Sequence, residues 1–208
     1  MYIDGIIFDL DGTLWNSTDG VTSSWNKTLK KYPEEKDPLT VADVKGVMGL
    51  ITSDIGKELF PYLDRESSSA IVKDCCRKEC AYLEKYGAVL YDGLEETLKE
   101  MSRRFPLFIV SNCDVGYIEA FFKAHHLRKY FRDYEDSGRT GLKKGDNIKL
   151  LMSRNRLKSP VYVGDTGLDL SAARYAGIPF VYARYGFGDV EEYDRAIDSF
   201  GSLLNVLR

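Results

Sequence analysis

The segment Ile6-Ile7-Phe8-Asp9-Leu10-Asp11-Gly12-Thr13-Leu14 runs an apolar strand straight into two carboxylates, and few folds accommodate that. An uninterrupted apolar run describes a strand buried on both faces, as in a parallel sheet flanked by helices. Side chains at i and i+2 of an extended segment share a side, so Asp9 and Asp11 converge on one point. Two crowded carboxylates need a cation, a proton or both to coexist. Gly12 lets the chain turn sharply and brings its backbone close to a ligand. A calcium loop of the EF-hand kind also opens with D-x-D, but it requires Gly at its sixth position and Glu at its twelfth. Counted from Asp9 those positions hold Leu14 and Gly20. A plain polar turn after a strand is the other reading, and the rest of the chain argues against it.

The chain has 208 residues with 44% hydrophobic and 29% charged content, which describes a globular protein with a sizeable core. A net charge of −3 gives no basic field for a nucleic acid polymer and no polybasic membrane patch. No run approaches ~18 consecutive apolar residues, so no transmembrane helix is expected. The N-terminus enters a strand without a basic region and apolar segment, which reads as no secretory signal. Cys75, Cys76, Cys80 and Cys113 form no C-x-x-C pair, and His125 and His126 lie far from the clustered cysteines. Reduced thiols and a cytoplasmic location are expected, and no zinc site.

Apolar runs bounded by turn residues recur at Ile3–Phe8, Leu107–Val110, Val161–Val163 and Phe180–Tyr182, with a weaker one at Tyr130–Tyr134. Helical patterns separate them at Val115–His125, Asn147–Arg156 and Leu168–Ala176. Alternation of this kind predicts an α/β fold, a parallel sheet covered on both sides. The stretch 16–87 differs, because it shows helical periodicity and no strand. Ser17 is the expected N-cap of a helix to Lys31 closed by Pro33, followed by helices Val41–Val47, Thr52–Phe60 and Arg65–Tyr86, the last stopped by Gly87. An all-α insertion after the first strand would sit over the carboxyl ends of the strands, where open α/β sheets bind ligands. The expected organisation is a core of 1–15 and 88–208 with a helical cap of 16–87.

Three further groups fall where strands should end. Ser111-Asn112 follows the Leu107–Val110 strand, and Gly164-Asp165-Thr166-Gly167-Leu168-Asp169 follows Val161–Val163. Helix capping would explain Ser111 or Asn112 alone, whereas two carboxylates at one strand end suggest a metal site. Between them Gly141-Leu142-Lys143-Lys144-Gly145 puts lysine at the start of a helix. The helix dipole disfavours a cation there unless an anion lies close. Acidic groups for Mg²⁺, a hydroxyl and a lysine make a phosphoryl-transfer site, because Mg²⁺ prefers oxygen ligands and shares them with substrate phosphate.

With these parts in order, the chain resembles the haloacid dehalogenase-like phosphatase superfamily along essentially its whole length, and within it the phosphoglycolate phosphatase-like members. The resemblance implies a Rossmann-like core in which Asp9, Ser111 and Asp165 meet across three adjacent strand ends. It implies that Asp9 attacks phosphorus to give an aspartyl-phosphate while Asp11 protonates the leaving oxygen and later activates water. Mg²⁺ would be held by Asp9, Asp165 and the backbone carbonyl of Asp11. Ser111 and Lys143, with Gly12, Thr13 and Asn112, would bind the phosphoryl group, and Asp169 would orient the lysine or complete the metal shell.

The family's lysine is often followed by proline, whereas Lys144 follows here; Lys143 is assigned because Ile148 then falls five residues on. Asp11 argues against a dehalogenase, which lacks the second aspartate, and Thr13 against a sugar-phosphate mutase, which usually carries an aliphatic residue there. Lys45-Gly46-Val47-Met48-Gly49-Leu50 is similar to the mutase cap loop but lacks its arginine. Tyr185-Gly186-Phe187-Gly188 is similar to a loop of phosphoglycolate phosphatase-like members and is expected as a turn at the site rim. The expected activity is Mg²⁺-dependent hydrolysis of a small phosphorylated metabolite, with phosphoglycolate as the leading candidate. A phosphomutase, a nucleotidase or pyrophosphatase, and a phosphate-binding regulatory module are the rivals.

Overall fold

The computed structural model describes residues 3–32 and 37–207. Its centre is β1 (Ile6–Phe8), whose three residues are wholly buried. The chain then forms β2 (Trp15–Asn16) and four helices, α1 (Thr18–Leu29), α2 (Val41–Val47), α3 (Thr52–Leu59) and α4 (Arg65–Tyr86). It returns through β3 (Val89–Leu90), which pairs antiparallel with β2. Then come α5 (Leu94–Met101), β4 (Leu107–Ser111), α6 (Tyr117–His125), β5 (Phe131–Asp136), α7 (Ser137–Thr140) and α8 (Lys144–Asn155). The chain finishes with β6 (Val161–Gly164), α9 (Gly167–Ala176), β7 (Phe180–Ala183), β8 (Arg195–Ile197) and α10 (Leu203–Val206).

Six strands make one sheet in the order β5-β4-β1-β6-β7-β8, and every neighbouring pair is parallel. Both faces of its middle are covered, as an apolar run without alternation requires. Ile6 and Phe8 join one hydrophobic cluster with Leu107, Ile109, Val161 and Val163, on the side of α1, α4, α5 and α6. Ile7 joins Phe108, Val110, Tyr162, Ile148 and Leu151 on the other side. Phe8 is in register with Ile109 and with Val163. The polar residues that follow each strand therefore emerge along one edge.

Between β2 and β3 the regular structure of the described residues is all helical, the character that the periodicity of 16–87 predicts. Asp64 caps α4 by accepting from the backbone N–H groups of Glu66 and Ser67, each at 2.9 Å. Gly87, at φ 69°, stops the same helix, a conformation that costs Gly little. Thr40 and Asp43 form a reciprocal capping box on α2. The closure of α1 by Pro33 lies outside the described residues. α1 and α3 each pack on α4, and α4 packs on α6 of the sheet layer. Trp25, Val44, Phe60 and Val72 thus belong to the same buried cluster as Phe8.

Six elements are not anticipated by the sequence: α5, α7, α10, β8 and the two strands of the β2–β3 ribbon. α5 buries Leu94, Thr97, Leu98 and Met101, an i, i+3, i+4, i+7 face that is legible but short. β8 has three residues and the β2–β3 ribbon two per strand, too few for a periodic signal. α6 starts at Tyr117 instead of Val115 because Gly116 takes φ 92° just before it. No described helix is long and apolar enough to cross a membrane.

Candidate active site

Asp9 leaves β1 with its N–H bonded to the Val163 carbonyl at 2.8 Å, and its side chain is buried at the carboxyl edge of the sheet. Its Oδ1 accepts from Lys144 Nζ at 2.9 Å, and the same ammonium donates to Asp169 Oδ1 at 2.7 Å. Lys144 is 3% exposed. Lys143, the residue chosen from the spacing to Ile148, is exposed, and Lys144 occupies the place assigned to it. The reason is local. Lys143 is the extended residue preceding α8 and Lys144 its first helical residue, so their side chains diverge. The start of α8 also presses against α9: a Cβ on Gly145 would come within 2.6 Å of the Tyr175 ring. That packing directs Lys144 across the strand ends.

Asp165 follows β6 in a close-fitting cradle. A Cβ on Gly12 would lie 2.1 Å from Asp165 Oδ2, and one on Gly186 would lie 2.2 Å from its Cβ, so neither position tolerates a side chain. Thr13 Oγ1 donates to Asp165 Oδ1 at 3.1 Å and the Phe187 N–H to Oδ2 at 2.7 Å. The Tyr185–Gly188 turn is therefore part of the site wall. Its glycines carried the available signal, close approach of backbone to a neighbour.

Asp169 Oδ1 takes the lysine at 2.7 Å and the Tyr162 hydroxyl at 3.3 Å. Its Oδ2 accepts from the N–H groups of Asp165 and Thr166 and from the Thr166 hydroxyl, at 3.2, 3.0 and 2.7 Å. Both oxygens are committed, and the group acts as an anchor for Lys144 and for the turn.

Asp11, on the other side of Leu10, accepts at Oδ1 from Ser17 Oγ at 2.5 Å and from the Tyr117 hydroxyl at 3.0 Å. Ser17 precedes α1 without capping it, because its hydroxyl serves Asp11. Burial raises the Asp11 carboxyl to about 6, against the Ser17 and Tyr117 hydrogen bonds that favour its charged form. Tyr117 and the role of Ser17 were missed in the sequence, since nothing there indicates that residues 11, 17 and 117 meet.

Ser111 ends β4, buried, beside a cavity lined by Asp9, Asp11, Asn112, Tyr117 and residues of α1 to α4. Asn112 donates to the Gly49 carbonyl at 2.8 Å and accepts from Ser137 Oγ at 2.9 Å, so its amide ties the α2–α3 loop to the sheet edge. Thr13 is likewise spent on Asp165. Of the expected phosphate-binding groups, Ser111 keeps a hydroxyl on the cavity wall, and Lys144 is bonded to Asp9 behind that wall.

Carboxylate oxygens of Asp9, Asp165 and Asp169 lie within 4.8 Å of one another, and among the described residues Lys144 is the ammonium bonded to them. One positive charge does not balance three negative ones. Burial pushes Asp9 up while Lys144 pulls it back, and burial followed by the Asp169 and Asp9 charges pushes Asp165 up. A divalent cation with a taste for hard oxygen donors fits this set. Asp9 and Asp165 are the side chains suited to hold it, because Asp169 is already saturated.

The haloacid dehalogenase-like hydrolase family profile matches residues 6–183. The chain belongs to that family. It is an enzyme, and the curated relatives it matches include phosphoglycolate phosphatases. A phosphoglycolate phosphatase of Photobacterium profundum is 26% identical over 221 residues, covering 98% of this chain and 95% of the relative. A haloacid dehalogenase-like hydrolase of Streptococcus pneumoniae superposes with a TM-score of 0.81 at 23% identity, covering 99% of each chain. CbbY of Rhodobacter sphaeroides, solved with xylulose-1,5-bisphosphate, superposes with a TM-score of 0.79 at 20% identity, covering 97% of this chain and 96% of that one.

Proposed function

We propose that this protein is a Mg²⁺-dependent phosphomonoesterase that hydrolyses a small phosphorylated metabolite through an aspartyl-phosphate on Asp9. The observation that carries the reading is the arrangement at the sheet edge: Asp9 bonded to Lys144, which is itself anchored by Asp169, with Asp165 beside them. The phosphatase relatives and the sugar bisphosphate held by a structural neighbour support the substrate class.

Mg²⁺ held by Asp9, Asp165 and the backbone carbonyl of Asp11 would supply positive charge to the phosphoryl oxygens that four acidic groups otherwise repel. Asp9 attacks phosphorus while Lys144 and Ser111 receive the transferring oxygens. Asp11, held by Ser17 and Tyr117, gives a proton to the departing alkoxide and then takes one from the attacking water. The carboxylates divide the work by position: Asp9 is paired with the Lys144 ammonium, whereas Asp11, held by Ser17 and Tyr117 and pushed up by burial to about 6, is placed to exchange a proton near neutral pH. Helices α1–α4 form the lid that keeps bulk water from the site. Hydrolysis is favoured over the mutase alternative by Thr13, whose hydroxyl supports Asp165.

A phosphate-release assay over phosphorylated metabolites, with Mg²⁺ and with excess chelator, tests the proposal. Release should require Mg²⁺ and return when it is restored. Undiminished release in chelator would overturn the metal assignment, and stoichiometric binding without release would favour a regulatory module.

A further inference from the structure

We propose that the substrate is the phosphate ester of a small amino alcohol, whose ammonium group is received by Glu79 and Trp25; the proposal rests on the phosphomonoesterase reading above and adds the substrate class. Hydrolysis would break the P–O bond to the amino alcohol, with water as co-reactant, giving the free alcohol and phosphate.

The observation behind it is the cavity between α1–α4 and the sheet edge. Its floor holds Asp9, Asp11 and Ser111, and its roof Val21, Trp25, Val44, Val47 and Ile55. Among the described residues no Lys, Arg or His is part of its lining. The ionisable side chain on its roof is Glu79 of α4, 6% exposed, which accepts a hydrogen bond from the Trp25 indole N–H. Asp11 and Asp114 line the same cavity. Charge from Asp11 reaches Glu79 and, with burial as the larger cause, pushes its carboxyl up. Glu79 shares this cavity with Asp11, the group assigned to protonate the leaving oxygen, and so lies on the side of the site where the leaving group departs.

A leaving group bearing a carboxylate, as in phosphoglycolate, would enter this space with Glu79, Asp11 and Asp114 around it and no cationic side chain among the described residues of the wall. Buried anions without partners are strongly disfavoured. An ammonium group reverses each of those interactions. It would pair with Glu79, relieve the burial of that carboxyl, and approach the Trp25 ring, whose face attracts cations. Three basic side chains near the site lie outside this lining, and of these Lys144 is paired with Asp9 and Asp169. Lys45 Nζ stands over the Phe187 ring, 5.6 Å from its centre. Lys143 lines a second groove with Asp146 and Tyr175.

Three two-carbon esters of nearly equal size test this: O-phosphoethanolamine, 2-hydroxyethyl phosphate and 2-phosphoglycolate, ending in ammonium, hydroxyl and carboxylate. With Mg²⁺, kcat/KM should fall in that order, with at least tenfold between the first and the last. Glu79→Gln should reduce the ammonium-to-carboxylate ratio tenfold or more, mainly through KM for O-phosphoethanolamine. A ratio cancels any general loss from the substitution, and the wild-type order needs no variant. Equal or faster turnover of 2-phosphoglycolate, the hydroxyl ester turned over fastest, or an unchanged ratio in Glu79→Gln would overturn the proposal. So would turnover of p-nitrophenyl phosphate with none of the three esters accepted. Absence of phosphate release from p-nitrophenyl phosphate as well would instead remove the phosphomonoesterase reading, and this proposal with it.

Discussion

The floor and the roof of the cavity are built on opposite principles. At and beneath the floor, Asp9, Asp165, Asp169 and Lys144 come from the ends of two strands and the starts of two helices, and each makes a hydrogen bond to a protein partner. The roof comes from helices α1–α4 and is apolar except for Glu79 and a few small polar groups. A polar floor held rigidly by a sheet can be preorganised for charge that develops during a reaction. An apolar roof on an inserted layer instead decides what is enclosed. On the proposed function, chemistry and selectivity would occupy separate layers, joined by contacts such as Asn112 to Gly49 and Tyr117 to Asp11 and Ser17.

If the division holds, floor substitutions should damage every substrate alike. Asp9→Asn keeps the shape and removes the nucleophile, and should lower kcat by at least ~10³-fold with the melting transition still cooperative. Activity within about tenfold of wild type in a phosphate-release assay would contradict it.

Lys144→Ala should cost about 10²-fold or more in kcat, because the lysine both pairs with Asp9 and serves the phosphoryl group. Lys143→Ala should stay within about threefold. Steady-state kinetics on both variants decides between the neighbouring lysines, and the reverse result would restore Lys143 to the role given it by sequence.

Asp11→Asn separates the two halves of the reaction. Phosphorylation by p-nitrophenyl phosphate, whose phenolate needs little protonation, should survive as a burst, followed by slow turnover because the aspartyl-phosphate lacks its base. Alkyl phosphates should lose the burst. Stopped-flow traces that lose it equally on both substrates would remove Asp11 as the general acid. Tyr117→Phe, which deletes one of the two hydrogen bonds to the Asp11 carboxyl, should have a milder effect of about tenfold on kcat, measured in the same assay.

The smallest expected effect is on stability, and it belongs to the roof. Glu79 is buried with its carboxyl raised from 4.5 to about 8, chiefly by desolvation, with Asp11, Asp114 and Cys76 facing it. The folded state thus holds a proton that the unfolded chain has released, so this contribution is complete below about pH 4.5 and declines as pH rises through about 8. At ~1.4 kcal/mol per pKa unit the decline is a few kcal/mol at most. Glu79→Gln should therefore flatten the fall in stability between pH 5 and 8, read as the difference between the two proteins in urea melts. Parallel curves would place Glu79 in contact with water.

What the sequence determined by itself was the layout. The unbroken apolar run Ile6–Phe8 required a central buried strand, and the two-residue spacing put Asp9 and Asp11 beyond its end. The periodicity of 16–87 required helices, and Gly87 ended the last where it was expected to. These are local properties, carried by residues a few positions apart. The tertiary structure decided what depends on distant segments meeting. Lys143 and Lys144 are chemically identical, and only the packing of α8 on α9 at Gly145 made Lys144 the buried one. Ser17 looks like a helix cap until Tyr117, 100 residues away, brings it into the Asp11 network. Glu79 lies among the polar residues of a long helix, and it faces the cavity because α4 packs between α1 and α6. A strand end fixes where a reacting group stands, but a buried charge takes its meaning from the partners that folding supplies.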